Sequence, residues 1–386
     1  MKPNPLLQLK NQGQSIWYDN IRRSLLQSGE LKRMIEEDGV TGVTSNPTIF
    51  EKAMDGSADY QDALKELIAS GASADEIYEK LIVADARAAC DILRPVFDET
   101  HGGDGYVSLE VSPLLAHNTA GTVRQAKHLF ELVNRPNLMI KVPATVEGMP
   151  AIEMLIGDGI NVNVTLIFSL DSYKKAAEAY IAGLEKLDKA GGRLDSVASV
   201  ASFFVSRLDT AVDKLLEECI ATEKDPKRVA ELAALLGTTA ISNSKMAYQI
   251  FKEIFSGPRF QALARKGARP QRVLWASTST KNPAYRDVIY VEQLIGPQTV
   301  NTMPPSTLEA FRDHGVVKPT LEQSVETAKA NLDALKEFGI DLDAITAQLL
   351  VDGVDAFAKS FQQLMRCIAN KKQKFLAGED MAAERH

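Results

Sequence analysis

Eight short β-rich runs recur along the chain, separated by segments with helical pattern. The runs lie near 15–19 ("SIWYD"), 39–45 ("GVTGVTS"), 106–112 ("YVSLEVS"), 138–144 ("LMIKVPA"), 161–168 ("NVNVTLIF"), 196–204 ("SVASVASFF"), 272–277 ("RVLWAS") and 298–303 ("QTVNTM"). Between them, stretches such as "TAGTVRQAKHLFELV" (119–133) and "SLDSYKKAAEAYIAGLEKLDKA" (169–190) place apolar residues three and four apart. That spacing gives a helix one buried face. Alternation of strand and helix selects a parallel sheet, and eight such strands predict an α/β fold closed as a (β/α)8 barrel. The rival, an open doubly wound sheet, calls for a glycine-rich turn that opens a helix after the first strand. "HGGDG" (101–105) precedes a strand instead and reads as a turn.

A barrel of this kind takes about 250 residues, and the chain has 386. The remainder is expected as helical insertions at 52–98 and 209–268 and as C-terminal helices from about Lys318. All of these belong to a single barrel domain over 1–386, with the last dozen residues fraying. A hydrophobic content of 45% and a charged content of 25% are those of a soluble globular protein. The net charge of −7 argues against nucleic acid as a partner. Cys90, Cys219 and Cys367 are odd in number and far apart, as reduced thiols in the cytoplasm are. The start, "MKPNPLLQLKNQGQ", has too short an apolar run for a secretion signal, and no later stretch is long enough to cross a bilayer. A cytoplasmic protein with no membrane partner is expected.

Parity along the strands carries the functional signal. In "NLMIKVPAT", Leu138, Ile140 and Val142 share one face, and Met139, Lys141 and Pro143 the other. In "YVSLEVS", Val107, Leu109 and Val111 oppose Ser108 and Glu110; in "NVNVTLIF", Val162, Val164, Leu166 and Phe168 oppose Asn161, Asn163 and Thr165. A half-exposed antiparallel strand alternates in the same way, but a barrel covers both faces. Glu110, Lys141, Asn163 and Thr165 then point inward near the carboxyl ends of their strands, where barrel enzymes keep their chemistry. Burial disfavours an ammonium and a nearby carboxylate favours it. A stable Lys141–Glu110 ion pair and a nucleophilic amine served by that acid are therefore both open.

Asp19 ends the first strand, as a site acid or as a helix cap, and Asn46 in "TSNP" is a site residue or part of a turn. "SFFVSR" offers Ser202 and Arg207, and "WASTSTK" offers Ser277 and Lys281 at the exit of the seventh strand, a favoured phosphate location in barrels. Each could equally be a solvated loop. The histidines (His101, His117, His128, His314 and His386) show no metal-ligand spacing, and neither a G-x-S-x-G elbow nor a P-loop occurs. A metal-free amine mechanism is what remains.

In order, and over roughly residues 15–305, "TSNPT", "VSLEVSP", "MIKVPAT", "INVNVTLIFS", "VASFFVSRLD" and "LWASTSTKNP" resemble the strand-end signatures of transaldolase. The long insertions and helical tail are similar to the larger bacterial-type subfamily of these class I, Schiff-base enzymes. The resemblance implies a barrel of the pentose phosphate pathway that moves a dihydroxyacetone unit between sugar phosphates without a cofactor. It implies Lys141 as the Schiff-base lysine, with Glu110 and Thr165 holding a proton-shuttling water and Asp19 taking the proton of the substrate's C4 hydroxyl. Asn46, Asn163 and Ser202 would hold the hydroxyls of the three-carbon fragment, and Arg207 and Ser277 the phosphate. Many members place an arginine two residues after that serine; here the position is Ser279, and Lys281 is expected to supply the charge. Two rivals stand beside this reading. One is an aldolase of the same family that releases free dihydroxyacetone; the other is a non-catalytic sugar-phosphate-binding barrel. Phe204, facing the pocket by parity, favours transfer, because an apolar ring cannot orient a hydrolytic water. Homodimer or monomer is left open, as is whether the added helices cover the barrel end or build a subunit contact.

Overall fold

Short parallel strands with apolar residues facing outward need a jacket of helices on that side and a filled interior on the other. The chain builds both. The structure, a computed structural model, describes residues 4–56 and 59–379. The strands are β1 (Gln14–Asp19), β2 (Val40–Thr44), β3 (Tyr106–Glu110), β4 (Leu138–Pro143), β5 (Val162–Ile167), β6 (Ser199–Phe204), β7 (Arg272–Ala276) and β8 (Thr299–Met303). They pair in chain order, and β8 pairs with β1 to close the barrel. Each run predicted from the sequence holds one strand. β6 starts at Ser199 because Leu194–Ser196 forms a 3-10 turn ahead of it.

Register fixes which side chains share the interior. Glu110 is paired with Lys141, and Lys141 with Asn163. Residues paired across adjacent strands point to the same side, so all three face inward, as parity predicts. Their neighbours Leu109, Ile140, Val142, Val162 and Val164 go outward into the core under the helices. Each such side chain, when fully buried, contributes roughly 1.5–3 kcal/mol.

One face assignment is corrected. Alternation places Leu166 and Phe168 with Val162 and Val164, but both turn into the barrel interior with Trp17, Met139 and Phe204, while Ile167 faces out. The pairing of β5 with β6 slips between Val164 and Ile167, and Leu166 has φ 61°. A left-handed residue inside a strand adds one position and inverts the parity beyond it.

The amino end of the barrel is plugged. Trp17 fills it against Gly42, where an added Cβ would lie 2.5 Å from the indole. The indole N–H donates to Asp104 at 2.8 Å, the Thr41 hydroxyl donates to the same carboxylate at 2.9 Å, and Arg272 pairs with it at 3.4 Å.

The additional residues are helical. Pro47–Gly56, Gln61–Ala69 and Ala74–Glu99 fall over the 52–98 region; Ser73 and Glu76 form a capping box at the start of the last of these. Ser206–Thr222, Pro226–Leu235, Thr239–Ser256 and Pro258–Ala264 fall over 209–268. After Val325–Glu337, the helix Leu342–Leu376 runs over the carboxyl end of the barrel. Its Val354 and Phe357 join the interior cluster of Leu166, Phe168 and Phe204. Residues 380–386, inside the tail expected to fray, lie outside the described residues. Among the described residues no helix is long and apolar enough to cross a membrane.

Candidate active site

A cavity of about 780 Å³ opens at the carboxyl ends of the strands. Asp19, Asn46, Lys141, Thr165, Ser202, Arg207, Ser277 and Lys281 line it, so eight of the ten residues singled out from sequence meet there. Glu110 sits behind Lys141 on the adjacent strand, and Asn163 lies beneath Ser202.

At the floor, Lys141 Nζ is 3.3 Å from Glu110 Oε2 and donates to the Ser45 carbonyl at 3.2 Å. Both side chains are only 6% exposed, which is where charge is costly. Burial pushes the Glu110 carboxyl above its usual range; Lys141 opposes that and Asp19 adds to it. Asp19 is likewise pushed up by burial, against the pull of Lys141 and of a 2.6 Å hydrogen bond donated by Thr44. Two carboxyls around one amine give the amine's proton somewhere to go within the site. Lys141 and Glu110 have ion-pair geometry, and the carboxyl that burial pushes up is placed to take the proton that a nucleophilic amine has to lose. Thr165 Oγ1 is buried without a hydrogen-bond partner, and Glu110 Oε2 has the lysine beside it but no aligned hydrogen bond.

The bland readings of two residues are corrected. Asp19 does not cap a helix: the following helix begins at Arg23, with Arg22 at its N-cap and no side-chain cap bond. Asn46 makes more than a turn, because its Oδ1 accepts the Ile49 N–H at 3.1 Å and so starts the Pro47–Gly56 helix. Asn163 is held on both sides, donating to Ser108 Oγ at 3.0 Å and accepting from Ser202 Oγ at 2.6 Å. It orients Ser202 instead of reaching the cavity.

The mouth is cationic. Arg207, at the start of the Ser206–Thr222 helix, holds its guanidinium 5.5 Å from the Phe204 ring and makes no ion pair with an acidic side chain among the described residues. Burial lowers its proton affinity. Burial also lowers that of Lys281, with Arg207 and Lys52 adding repulsion. Lys281 Nζ donates to Ser279 Oγ at 2.7 Å. Ser277, at φ 57°, sets its hydroxyl 3.0 Å from Ser206 Oγ; a serine in that left-handed conformation is a strained position of the kind found at ligand sites. Asp59 is outnumbered at the mouth by Arg22, Lys52, Arg207 and Lys281, and such an excess of cations is relieved by an anion. Behind them, Tyr285 donates to Asp213 at 2.8 Å and Tyr290 to Asp209 at 2.7 Å, tying the loop after β7 to the helix that carries Arg207.

Among the lining residues that sequence reasoning missed are Arg22, Lys52, Asp59 and Phe357. The two cations carry no signal that separates them from surface charges. Phe357 reads as one more apolar position on an amphipathic helix.

Among the described residues no group of three or more His, Cys, Asp or Glu side chains is placed to hold a metal ion. Residues 16–368 match the family model described as transaldolase/fructose-6-phosphate aldolase. The chain belongs to this family. Its members include a protein of Trichodesmium erythraeum named transaldolase, 48% identical over 97% of this chain and 99% of that one. One of Acidothermus cellulolyticus with the same name is 49% identical over 96% of this chain and 98% of its own length. A third, from Thiobacillus denitrificans, is 50% identical over 92% and 96% respectively. The family's description covers two outcomes, transfer of a fragment and its release.

Proposed function

We propose that the chain is a transaldolase. It moves a dihydroxyacetone unit from sedoheptulose 7-phosphate to glyceraldehyde 3-phosphate, giving erythrose 4-phosphate and fructose 6-phosphate. The observation that carries this reading is one cavity with a buried lysine against a proton-accepting carboxyl at its floor and unpaired cations at its mouth. A ketose phosphate has a carbonyl for the first and an anion for the second.

Lys141 gives a proton to Glu110 and its Nζ adds to the substrate's C2. The carbinolamine loses water to form a protonated imine, with Glu110 and Thr165 steering the protons through a bridging water. Asp19 takes the C4 hydroxyl proton as the C3–C4 bond breaks, and the bond's electron pair flows to the iminium to leave an enamine. The enamine carbon then attacks the acceptor aldehyde, Asp19 returns its proton to the new alkoxide, and water hydrolyses the imine. Asn46 and Ser202, the latter set by Asn163, hold the fragment's hydroxyls. Arg207, Ser277 and Lys281 hold the phosphate through charge-assisted hydrogen bonds. Nothing in this sequence of steps requires a metal or organic cofactor. The reading takes the chain as a single barrel domain working in the cytoplasm on small sugar phosphates, with no nucleic-acid or membrane partner. The span from ketone to phosphate is left to the roomy mouth, where Lys52 adds positive potential.

The test offers fructose 6-phosphate with and without erythrose 4-phosphate. Sedoheptulose 7-phosphate formed only with the acceptor is the expected result. Free dihydroxyacetone without acceptor would instead mean an aldolase, and no turnover at all would mean a binding protein.

A further inference from the structure

The helix Leu342–Leu376 lies beyond the eight-strand alternation, yet it places Phe357 in the wall of the cavity. The ring centroid is 5.7 Å from Lys141 Nζ, and the residue is 4% exposed. The helix is held close to the barrel. At Gly353 an added Cβ would come within 3.0 Å of Leu166 Cδ2. Thr48 and Ser360 hydrogen-bond at 2.9 Å, and Lys371 Nζ donates to the Met54 carbonyl at 2.6 Å. Phe204, contributed by β6, lines the same cavity beside Arg207, and the helix adds the apolar Phe357 beside the amine.

We propose that Phe357 is a specificity-determining residue, whose bulk keeps a proton-donating water from the nucleophilic carbon of the lysine-bound fragment so that it waits for an acceptor. The inference rests on the transaldolase reading. After cleavage the fragment is an enamine on Lys141. It is lost when its nucleophilic carbon takes up a proton to give the iminium, water adds at C2, and the C–N bond breaks. Dihydroxyacetone then departs and the lysine leaves as an ammonium. The water that adds at C2 serves transfer as well, at Glu110 and Thr165; the proton needs a donor at the nucleophilic carbon, on the side of the lysine that the Phe357 ring covers. Excluding water from a reactive intermediate is a recognised way to suppress its hydrolysis. The same ring buried for stability alone would affect both outcomes equally.

The experiment measures, on the full chain, free dihydroxyacetone released from fructose 6-phosphate alone and sedoheptulose 7-phosphate formed with erythrose 4-phosphate. Phe357→Ala is expected to raise the ratio of release to transfer by about tenfold or more. Phe357→Leu, which keeps apolar bulk, is expected to hold the ratio within about threefold of the original protein. Phe357→Gln, of similar length but able to hold a water, is expected to resemble the alanine variant and serves if that variant does not fold. An unchanged ratio in the alanine or glutamine variant, with both rates lowered together, overturns the proposal. So does a leucine variant as leaky as either. Failure of the underlying reading is seen separately, in the unaltered protein, as release without acceptor or as no turnover.

Discussion

At the floor of the cavity one ammonium is crowded by two carboxyls, all three buried or half-buried and partnered within the protein. At the mouth, in reach of solvent, Lys281 is repelled by Arg207 and Lys52, and Asp59 is the one acid lining that part of the cavity among the described residues. The floor sets one amine against two carboxyls whose proton affinity burial raises, and under the transaldolase reading it works by moving protons over short distances. Among the described residues the mouth carries more cations than acids, with Arg22, Lys52, Arg207 and Lys281 against Asp59, so its electrostatics are completed by what arrives. Burial makes the first set strong and pH-dependent; exposure makes the second weaker and salt-dependent. Changes at the floor should therefore appear in kcat and its pH profile, and changes at the mouth in KM and ionic strength.

The largest effect is expected at Lys141. Replacement by Arg keeps a cation but removes the nucleophile, and kcat should fall by about 10⁴-fold or more. Borohydride reduction with a ketose phosphate, followed by peptide mapping, should label residue 141 in the original protein and leave the variant unlabelled. Asp19→Asn should cost about 10²–10⁴-fold in kcat, the usual worth of a positioned base. Asp19 acts deprotonated and burial raises its proton affinity, so activity is lost as pH falls through a value above the ordinary carboxylate range. That acidic limb should disappear from the kcat profile of the asparagine variant; an unchanged limb would assign the base elsewhere.

Arg207→Ala should lower kcat/KM by about 10²-fold, mainly through KM, and leave the pH profile alone. A matching loss in kcat would erase the division between floor and mouth. Lys281 is more exposed, and Lys281→Ala should cost about tenfold at low salt and less at high salt. The smallest effect concerns the support of the mouth. Asp209 is 2% exposed, and burial pushes its carboxyl up to about 7 from an ordinary 3.8. The fold therefore binds this proton more tightly than the unfolded chain does, and stability falls as pH rises from about 4 to about 7. Urea unfolding of the original protein should lose about 1 kcal/mol between pH 6 and pH 8 from this group, and Asp209→Asn should remove that component.

The strands and the inward placement of Glu110, Lys141 and Asn163 were legible because a period of two, repeated over enclosed strands, admits one register. Leu166 was not, because the added position is taken by a leucine and not by the glycine that would have marked it. Nor were the partners of Asn163: a strand-interior amide does not announce that it bonds to Ser108 and Ser202. The Asp19–Thr44 bond joins two strands whose alignment the sequence does not print. Phe357 is the largest gap. Helical periodicity says that it is buried, and only the path of the C-terminal helix says against what.

Trp17, Asp104 and Arg272 plug the amino end of the barrel, so the cavity is reached from the carboxyl end. Under the transaldolase reading, traffic must take turns: the shortened aldose has to leave by the route its replacement will use, while the carbon fragment stays behind on the amine. Initial rates at several fixed acceptor concentrations should consequently give parallel double-reciprocal lines, the pattern of a two-stroke exchange in which the partners never share the chamber.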